Sequence, residues 1–159
     1  MYFTGQSKKS FNLIFLVFAI LIGLAARVSA HGYMVTPPIR LVPNGDKISL
    51  AGDPTEVFPC GIAGNSPGPV TKYRPGESML VAYNITIPHP GPCEIDLSMN
   101  GDNNFTNIAN LGECGNTLGF FATFVDLPYE NCETCTVRFY WNGGPGQLYL
   151  NCANIQISL

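Results

Sequence analysis

Residues 136–141 read TVRFYW, and their side chains alternate strictly between polar and apolar character. Val137, Phe139 and Trp141 fall on one face of an extended segment, and the more polar residues between them fall on the other. Such period-two alternation predicts an antiparallel strand with one buried face. This strand decides the fold class because the same pattern recurs in the segments before and after it.

Three upstream segments repeat the alternation. The residues assigned to their apolar faces are Met79, Val81, Tyr83 and Ile85 in the first, Cys93, Ile95, Leu97 and Met99 in the second, and Phe120, Ala122 and Phe124 in the third. In the second segment Glu94, Asp96 and Ser98 occupy the opposite face. Turn sequences such as Asn-Gly-Asp, Asn-Gly-Gly and Pro-Gly separate the segments, as expected between antiparallel strands.

The last segment changes phase. Leu148, Leu150 and Cys152 share one face, whereas Ile155 and Ile157 lie on the other. This pattern is consistent either with a bulge near Ala153 or with a strand buried on both sides.

Several short strands at this spacing predict one all-β domain, an immunoglobulin- or fibronectin-III-like antiparallel β-sandwich. Residues 31–77 are rich in Pro and Gly and predict long N-terminal loops with short strands, and no segment after residue 31 has convincing helical periodicity. With 46% hydrophobic and 12% charged residues in a chain of 159, intrinsic disorder is excluded.

The first thirty residues have the order of a secretory signal peptide. Lys8 and Lys9 precede an apolar run over residues 11–26, and Val28-Ser29-Ala30 supplies small residues for cleavage. The alternative, a membrane anchor, would need a longer apolar run. We therefore expect cleavage after Ala30, a secreted extracellular protein and a mature domain comprising residues 31–159.

The mature chain is acidic. It keeps all eleven acidic residues but only five basic ones, a formal charge of −6. This charge disfavours nucleic acid and polyanionic polysaccharides as partners, whereas a neutral or cationic partner fits it better. We expect no membrane association and a monomer.

All six cysteines lie in the mature part, which in a secreted chain predicts three disulfides. Cys132 and Cys135 form a C-x-x-C pair, for which a structural bridge is favoured over zinc or redox chemistry because no second such pair exists. Asn84-Ile85-Thr86 and Asn104-Phe105-Thr106 are N-glycosylation sequons, which predicts that both segments reach the surface of a glycoprotein.

Two histidines are the candidate metal ligands. His31 becomes the first residue after cleavage, so its free α-amine and its ring Nδ1 can close a chelate on one ion. His89 would add a third nitrogen. Three nitrogens in one plane suit Cu(II), which predicts a site for one copper ion.

Tyr149 is a candidate for a weak axial oxygen ligand, and Gln147 shares its face two residues earlier. Each candidate also has a non-functional interpretation. His89 could lie in a solvated loop, Tyr149 could be an ordinary core residue, and His31 could follow the cleavage point by chance. The sequence has neither a G-x-S-x-G motif nor a third histidine, so it does not support a conventional serine hydrolase. A hydrolase that uses a pair of carboxylates is still an open alternative.

Five segments resemble the copper-dependent lytic polysaccharide monooxygenases of the auxiliary-activity classes, in that family's order. They are residues 31–40 (HGYMVTPPIR), 58–61 (FPCG), 93–105, 132–141 (CETCTVRFYW) and 147–155 (QLYLNCANI). The first resembles the start of the family's mature chains, common in the chitin-active and related branches, where the N-terminal histidine is part of a copper-binding histidine brace. The last resembles the family's Q/E-x-Y-x-x-C-A motif.

The resemblance implies a role for each candidate. His31 and His89 would bind copper, Tyr149 would be the axial residue, and Gln147 would lie just outside the ligand sphere. A bridge between Cys60 and Cys152 would steady the strand that carries Tyr149.

The implied activity is oxidative cleavage of a polysaccharide, with chitin favoured over cellulose, using an external electron donor. The mature domain is short for the family, which keeps open a non-catalytic copper carrier or effector with the same brace. A third alternative is a metal-free, disulfide-stapled β-sandwich that recognises a ligand or receptor, and it requires His31 and His89 to lie far apart.

Overall fold

Eight β-strands form the fold in the computed structural model, which describes residues 31–41, 59–61, 68–144 and 147–159. The strands are β1 (His31–Thr36), β2 (Val70–Tyr73), β3 (Ser78–Ile87), β4 (Cys93–Ser98), β5 (Thr106–Gly112), β6 (Gly119–Asp126), β7 (Cys132–Asn142) and β8 (Leu148–Ile157). The predicted signal peptide and most of the predicted N-terminal loops lie outside these residues.

The strands make two sheets, one of three strands in the order β1-β3-β6 and one of five in the order β2-β8-β7-β4-β5. All pairings are antiparallel except that of β2 with β8. The predicted all-β sandwich is therefore confirmed. A 3₁₀ turn lies at Cys114–Asn116, and in the described ranges no helix is long and apolar enough to cross a membrane.

The core lies between the two sheets, as the alternation predicted for β3 and β7. Val137, Phe139 and Trp141 of β7 are fully buried. Tyr83 of β3 stacks on Phe139, with ring centroids 5.2 Å apart, and so joins the two sheets.

The predicted buried face of β6 is wrong. Phe120 and Phe124 are 70% and 71% exposed, whereas Val125 is buried and Phe121 stacks on Tyr83 at 5.4 Å. In the sequence FFATFV both faces carry apolar residues, so alternation alone does not identify the inner one. Pairing of β6 with β3 places Val125 opposite the buried Met79, and this register selects the odd-numbered residues.

Two of the three residues on the predicted polar face of β4, Asp96 and Ser98, are also buried, whereas Glu94 is partly exposed and Met99, just beyond the strand, is 38% exposed. Asp96 and Ser98 are inaccessible because Arg138, with its guanidinium over the Phe105 ring, covers Asp96, and Ser98 donates to the carbonyl of Asn103 in the following turn. The carboxylate of Asp96 accepts two hydrogen bonds from Arg138 of β7, at 2.8 and 3.0 Å, so its charge is compensated.

Strand β8 is buried on both sides rather than bulged near Ala153. Leu148 and Leu150 are buried on one face, with Tyr140 packed against them, while Ala153, Ile155 and Ile157 belong to the main core. The pairing of β8 with β7 runs without a shift from Leu148 to Ile155. Of the two alternatives for this segment, burial on both sides is confirmed.

Three disulfides are present, as predicted: Cys60–Cys152, Cys93–Cys114 and Cys132–Cys135. The first is the pairing that the family resemblance implied. The C-x-x-C pair closes on itself at a register shift in β7 and is a structural bridge.

Candidate metal centre

One end of the sandwich collects the predicted site residues, because β1 and β8 begin there and β3 and β7 end there. The backbone of His31 pairs with Ile87 at the end of β3, two residues before His89. The side chain of His31 lies outside the described part of the structure. The chain path nevertheless brings the two histidine positions to the same end of the molecule.

The backbone of His89 is held by the 3₁₀ turn, since its N–H donates to the carbonyl of Gly115 at 2.8 Å. The ring Nδ1 lies 3.2 Å from the carbonyl oxygen of Pro90. A carbonyl only accepts, so this contact is a hydrogen bond in the tautomer that has its proton on Nδ1, and in that tautomer Nε2 is the nitrogen with a free lone pair. Metal-binding histidines in proteins commonly have their second nitrogen anchored in this way.

Tyr149 and Gln147 lie where β8 begins. The Tyr149 hydroxyl donates to Oε1 of Gln147 at 3.4 Å, a long hydrogen bond between neighbours on the same face. Tyr149 is 4% exposed, because its ring packs on Trp141 with centroids 4.5 Å apart. The two residues are therefore adjacent, as their spacing predicted.

Gly143 joins His89 to Tyr149. A methyl group at Gly143 would lie 3.1 Å from Nδ1 of His89 and 3.2 Å from Cε2 of Tyr149. The Gly143 N–H also donates to the carbonyl of Gln147 at 2.8 Å. Three of the four predicted site residues thus surround one glycine, a position that sequence reasoning missed.

Trp141, which the sequence predicted only as a core residue, packs beneath the site residues. A methyl group at Gly32, next to His31, would lie 3.1 Å from Cζ3 of Trp141, and one at Gly115 only 2.3 Å from its Nε1. The same indole packs on Tyr149. A single buried side chain thus supports the start of β1, the turn that holds His89 and the start of β8.

Asn151 is a second missed residue. Its side-chain Oδ1 accepts the backbone N–H of Met34 at 2.7 Å, a buried hydrogen bond between the strand of His31 and the strand of Tyr149. Asn151 is a polar residue on the inner face of an otherwise largely apolar strand, and that signal was available in the sequence.

The donor set fits a copper ion in kind. His89 offers an imidazole and Tyr149 a phenol, and both lie against the Gly143 position, which carries no side chain. Among the described side chains no three His, Cys, Asp or Glu residues form a metal-binding group.

No protein-family model matches the chain, and no curated protein matches it by sequence. Solved structures match it closely in fold. An AA10 lytic polysaccharide monooxygenase from Streptomyces lividans aligns with a TM-score of 0.62 and 15% identity, covering 79% of this chain and 99% of that one.

Two further structures match over their whole length. A chitin binding domain from Burkholderia pseudomallei has a TM-score of 0.62 at 9% identity, covering 81% of this chain and 100% of its own. A Jonesia denitrificans lytic polysaccharide monooxygenase has a TM-score of 0.56 at 17% identity, covering 80% and 100%. The predicted similarity to this group is confirmed at the level of the fold.

Proposed function

We propose that this protein is a secreted, copper-dependent monooxygenase that cleaves the glycosidic bonds of a polysaccharide, with chitin as the first candidate and cellulose as the second. The observation that carries the proposal is the packing of His89, Tyr149 and Gln147 around Gly143, at the end of the sandwich where His31 begins β1.

His31 and His89 would hold the ion. Cleavage after Ala30 converts the amide nitrogen of His31 into a free amine, which competes for a metal at neutral pH far better than a lysine does. His89 would bind through Nε2, with Nδ1 protonated and donating to the carbonyl of Pro90. The pairing of His31 with Ile87 argues against the metal-free alternative, which needs the two histidines far apart.

Tyr149 and Gln147 would shape one side of the centre. The Tyr149 ring is fixed between Trp141 and the Gly143 position, so its oxygen cannot swing away. Gln147 uses Oε1 to accept from Tyr149, and its Nε2 hydrogens remain as donors for a bound reactant. Bound copper would supply the redox chemistry, taking an electron from an external donor and activating O₂ or H₂O₂ for hydrogen abstraction beside the glycosidic bond.

The substrate class rests on charge and on the fold. A mature charge of −6 suits a neutral or cationic polymer better than a polyanion. The neighbours in fold are described as polysaccharide monooxygenases and as a chitin binding domain. Chitin meets both conditions, and partly deacetylated chitin carries positive charge.

The test is to incubate the copper-loaded mature protein with chitin or cellulose and a reductant, and to analyse soluble products by mass spectrometry. We expect the unaltered protein to release oxidised oligosaccharides from chitin, and the His89→Ala variant to release none. Phe124→Ala, an exposed change near the far end of β6, is the control that should keep full activity.

Two results would overturn the proposal. Tight copper binding without oxidised products from any glycan would identify a carrier or effector with the same brace. Absence of copper binding to a chain that begins at His31 would remove both the enzyme and the carrier.

A further inference from the structure

A groove of about 700 Å³ lies at the other end of the sandwich, outside the proposed metal centre. Leu97 near the end of β4, Thr106 at the start of β5 and Asp126 at the end of β6 contribute to its walls. His89, by contrast, lies between the end of β3 and the start of β4. The groove has the size of sites that enclose a ligand of a few rings.

Asn104, the acceptor of one of the two sequons, lines this groove. It is exposed, in the turn between β4 and β5, with a φ of 54°. The neighbouring amides are engaged within the turn, because Asn103 donates to the carbonyl of Asn100 through both its backbone and its side chain. In the described part of the chain no hydrogen bond occupies the side chain of Asn104.

Tyr129 also lines the groove and is 83% exposed. One side of its ring packs over Gly76, where an added methyl group would come within 2.4 Å of Cε1. The Gly76 N–H also donates to the carbonyl of Pro128. A ring supported on one side and open on the other offers its electron-rich face to the C–H groups of a sugar.

Asn84, the acceptor of the other sequon, has the opposite environment. It lies in β3, the middle strand of its sheet, opposite Tyr33 on one side and Phe120 on the other. Its side chain is 9% exposed and donates to the Tyr33 hydroxyl at 3.4 Å. A glycan there would have to displace this packing, only five residues before His89.

We infer that Asn104 carries an N-linked glycan whose first sugars lie in the groove against Tyr129, and that Asn84 stays unmodified in the folded protein. In the reaction, Nδ2 of Asn104 bonds to C1 of the sugar of a polyprenyl-diphosphate-linked oligosaccharide. The bond from C1 to the diphosphate oxygen breaks, the lipid diphosphate leaves, and Nδ2 loses one proton. The inference depends on export through residues 1–30 and not on the copper chemistry.

The first experiment maps the modification. The full chain is expressed in a eukaryotic secretory host, and the protein from the medium is treated with peptide N-glycosidase in H₂¹⁸O and analysed as peptides. We expect ¹⁸O-labelled Asp at position 104 and unlabelled Asn84. Asn104→Gln and Thr106→Ala should each remove the whole mobility shift, whereas Asn84→Gln should leave it.

An unlabelled position 104, an occupied Asn84 in folded secreted protein, or a chain that is not exported would each overturn the inference. Thr106→Ala keeps the asparagine and so separates loss of the glycan from loss of the side chain.

The second experiment tests the contact with the groove. Tyr129→Ala is compared with unaltered protein, each before and after enzymatic removal of the glycan, as a double cycle. If sugars pack on the ring, the substitution lowers Tm by about 3 °C more in the glycosylated protein than in the deglycosylated one. Equal effects in the two forms would overturn the placement of the sugars in the groove.

Discussion

At the residue scale, the candidate site depends on a position that carries no side chain. Gly143 contributes no ligand and no charge, yet the side chains of both His89 and Tyr149 lie against it. Its importance is steric, because a methyl group here would be 3.1 to 3.2 Å from its neighbours, which would have to move by a few tenths of an ångström.

Substituting Gly143 by Ala tests this. The added carbon would lie 3.1 Å from Nδ1 of His89, so the ring must shift and its hydrogen bond to Pro90 must lengthen. We expect about tenfold weaker Cu(II) binding, the lower end of what disturbed supporting contacts cost a metal site. Isothermal titration of the mature protein measures it, with Phe124→Ala as the control, and an unchanged affinity would contradict the packing argument.

Tyr83 gives a residue-scale prediction for pH. Burial raises the pKa of its phenol above the ordinary 10.0, and burial with the nearby Glu77 carboxylate does the same for Tyr73. The unfolded chain therefore loses these protons first as the pH rises. These two phenols therefore leave the free energy of unfolding unchanged below about pH 10 and lower it above that pH.

Urea unfolding from pH 8 to 11 measures this loss of stability. Tyr83→Phe cannot ionise, so its free energy of unfolding should fall less steeply than that of the unaltered protein above pH 10. Identical slopes for the two proteins would show that the phenol does not contribute to the alkaline transition.

At the scale of the element, β6 shows how a strand is oriented by its neighbour. Its sequence FFATFV allows either face to be inner, and its pairing with β3 places Phe121 against Tyr83 and leaves Phe124 in solvent. A shift by one residue would exchange the two faces, and the apolar side chains of β3 exclude it.

Two phenylalanines of β6 therefore provide a matched pair. We expect Phe121→Ala to cost about 2 kcal/mol, since a half-buried ring and one stacking contact are lost. Phe124→Ala should change stability by less than about 0.5 kcal/mol, as is usual for an exposed side chain. Urea titrations compare the midpoints, and a larger loss from Phe124→Ala would mean that the face of β6 is assigned wrongly.

At the scale of the whole molecule, long-range links tie distant parts of the chain to one another, at the site and away from it. Asn151 connects β8 to β1, and Arg40 binds Asp102 in a bidentate pair with N···O distances of 2.7 and 2.8 Å. The disulfide Cys60–Cys152 spans 92 residues and joins the loop at 59–61 to the strand of Tyr149.

The span of a disulfide predicts its contribution to stability. In the chain-entropy account, removing Cys60–Cys152 by a double alanine substitution costs about 4 to 5 kcal/mol, because a long loop is released in the unfolded state. Removing Cys132–Cys135, with a separation of 3, should cost only about 1.5 kcal/mol. Calorimetric unfolding compares the two variants, and equal losses would contradict the loop-length argument.

The sequence by itself determined the fold class, the positions of most strands and the Cys60–Cys152 pairing implied by the family motifs. It also selected His31, His89, Tyr149 and Gln147, whose role in binding copper remains a prediction. Local alternation is sufficient for a strand because the backbone places successive side chains on opposite faces.

Only the tertiary structure decided the inner face of β6, the burial of Asp96, and the contacts of Gly143, Trp141 and Asn151 around the site. These depend on which strands are neighbours and in what register. Such contacts join residues far apart in the chain, and local periodicity contains no information about them.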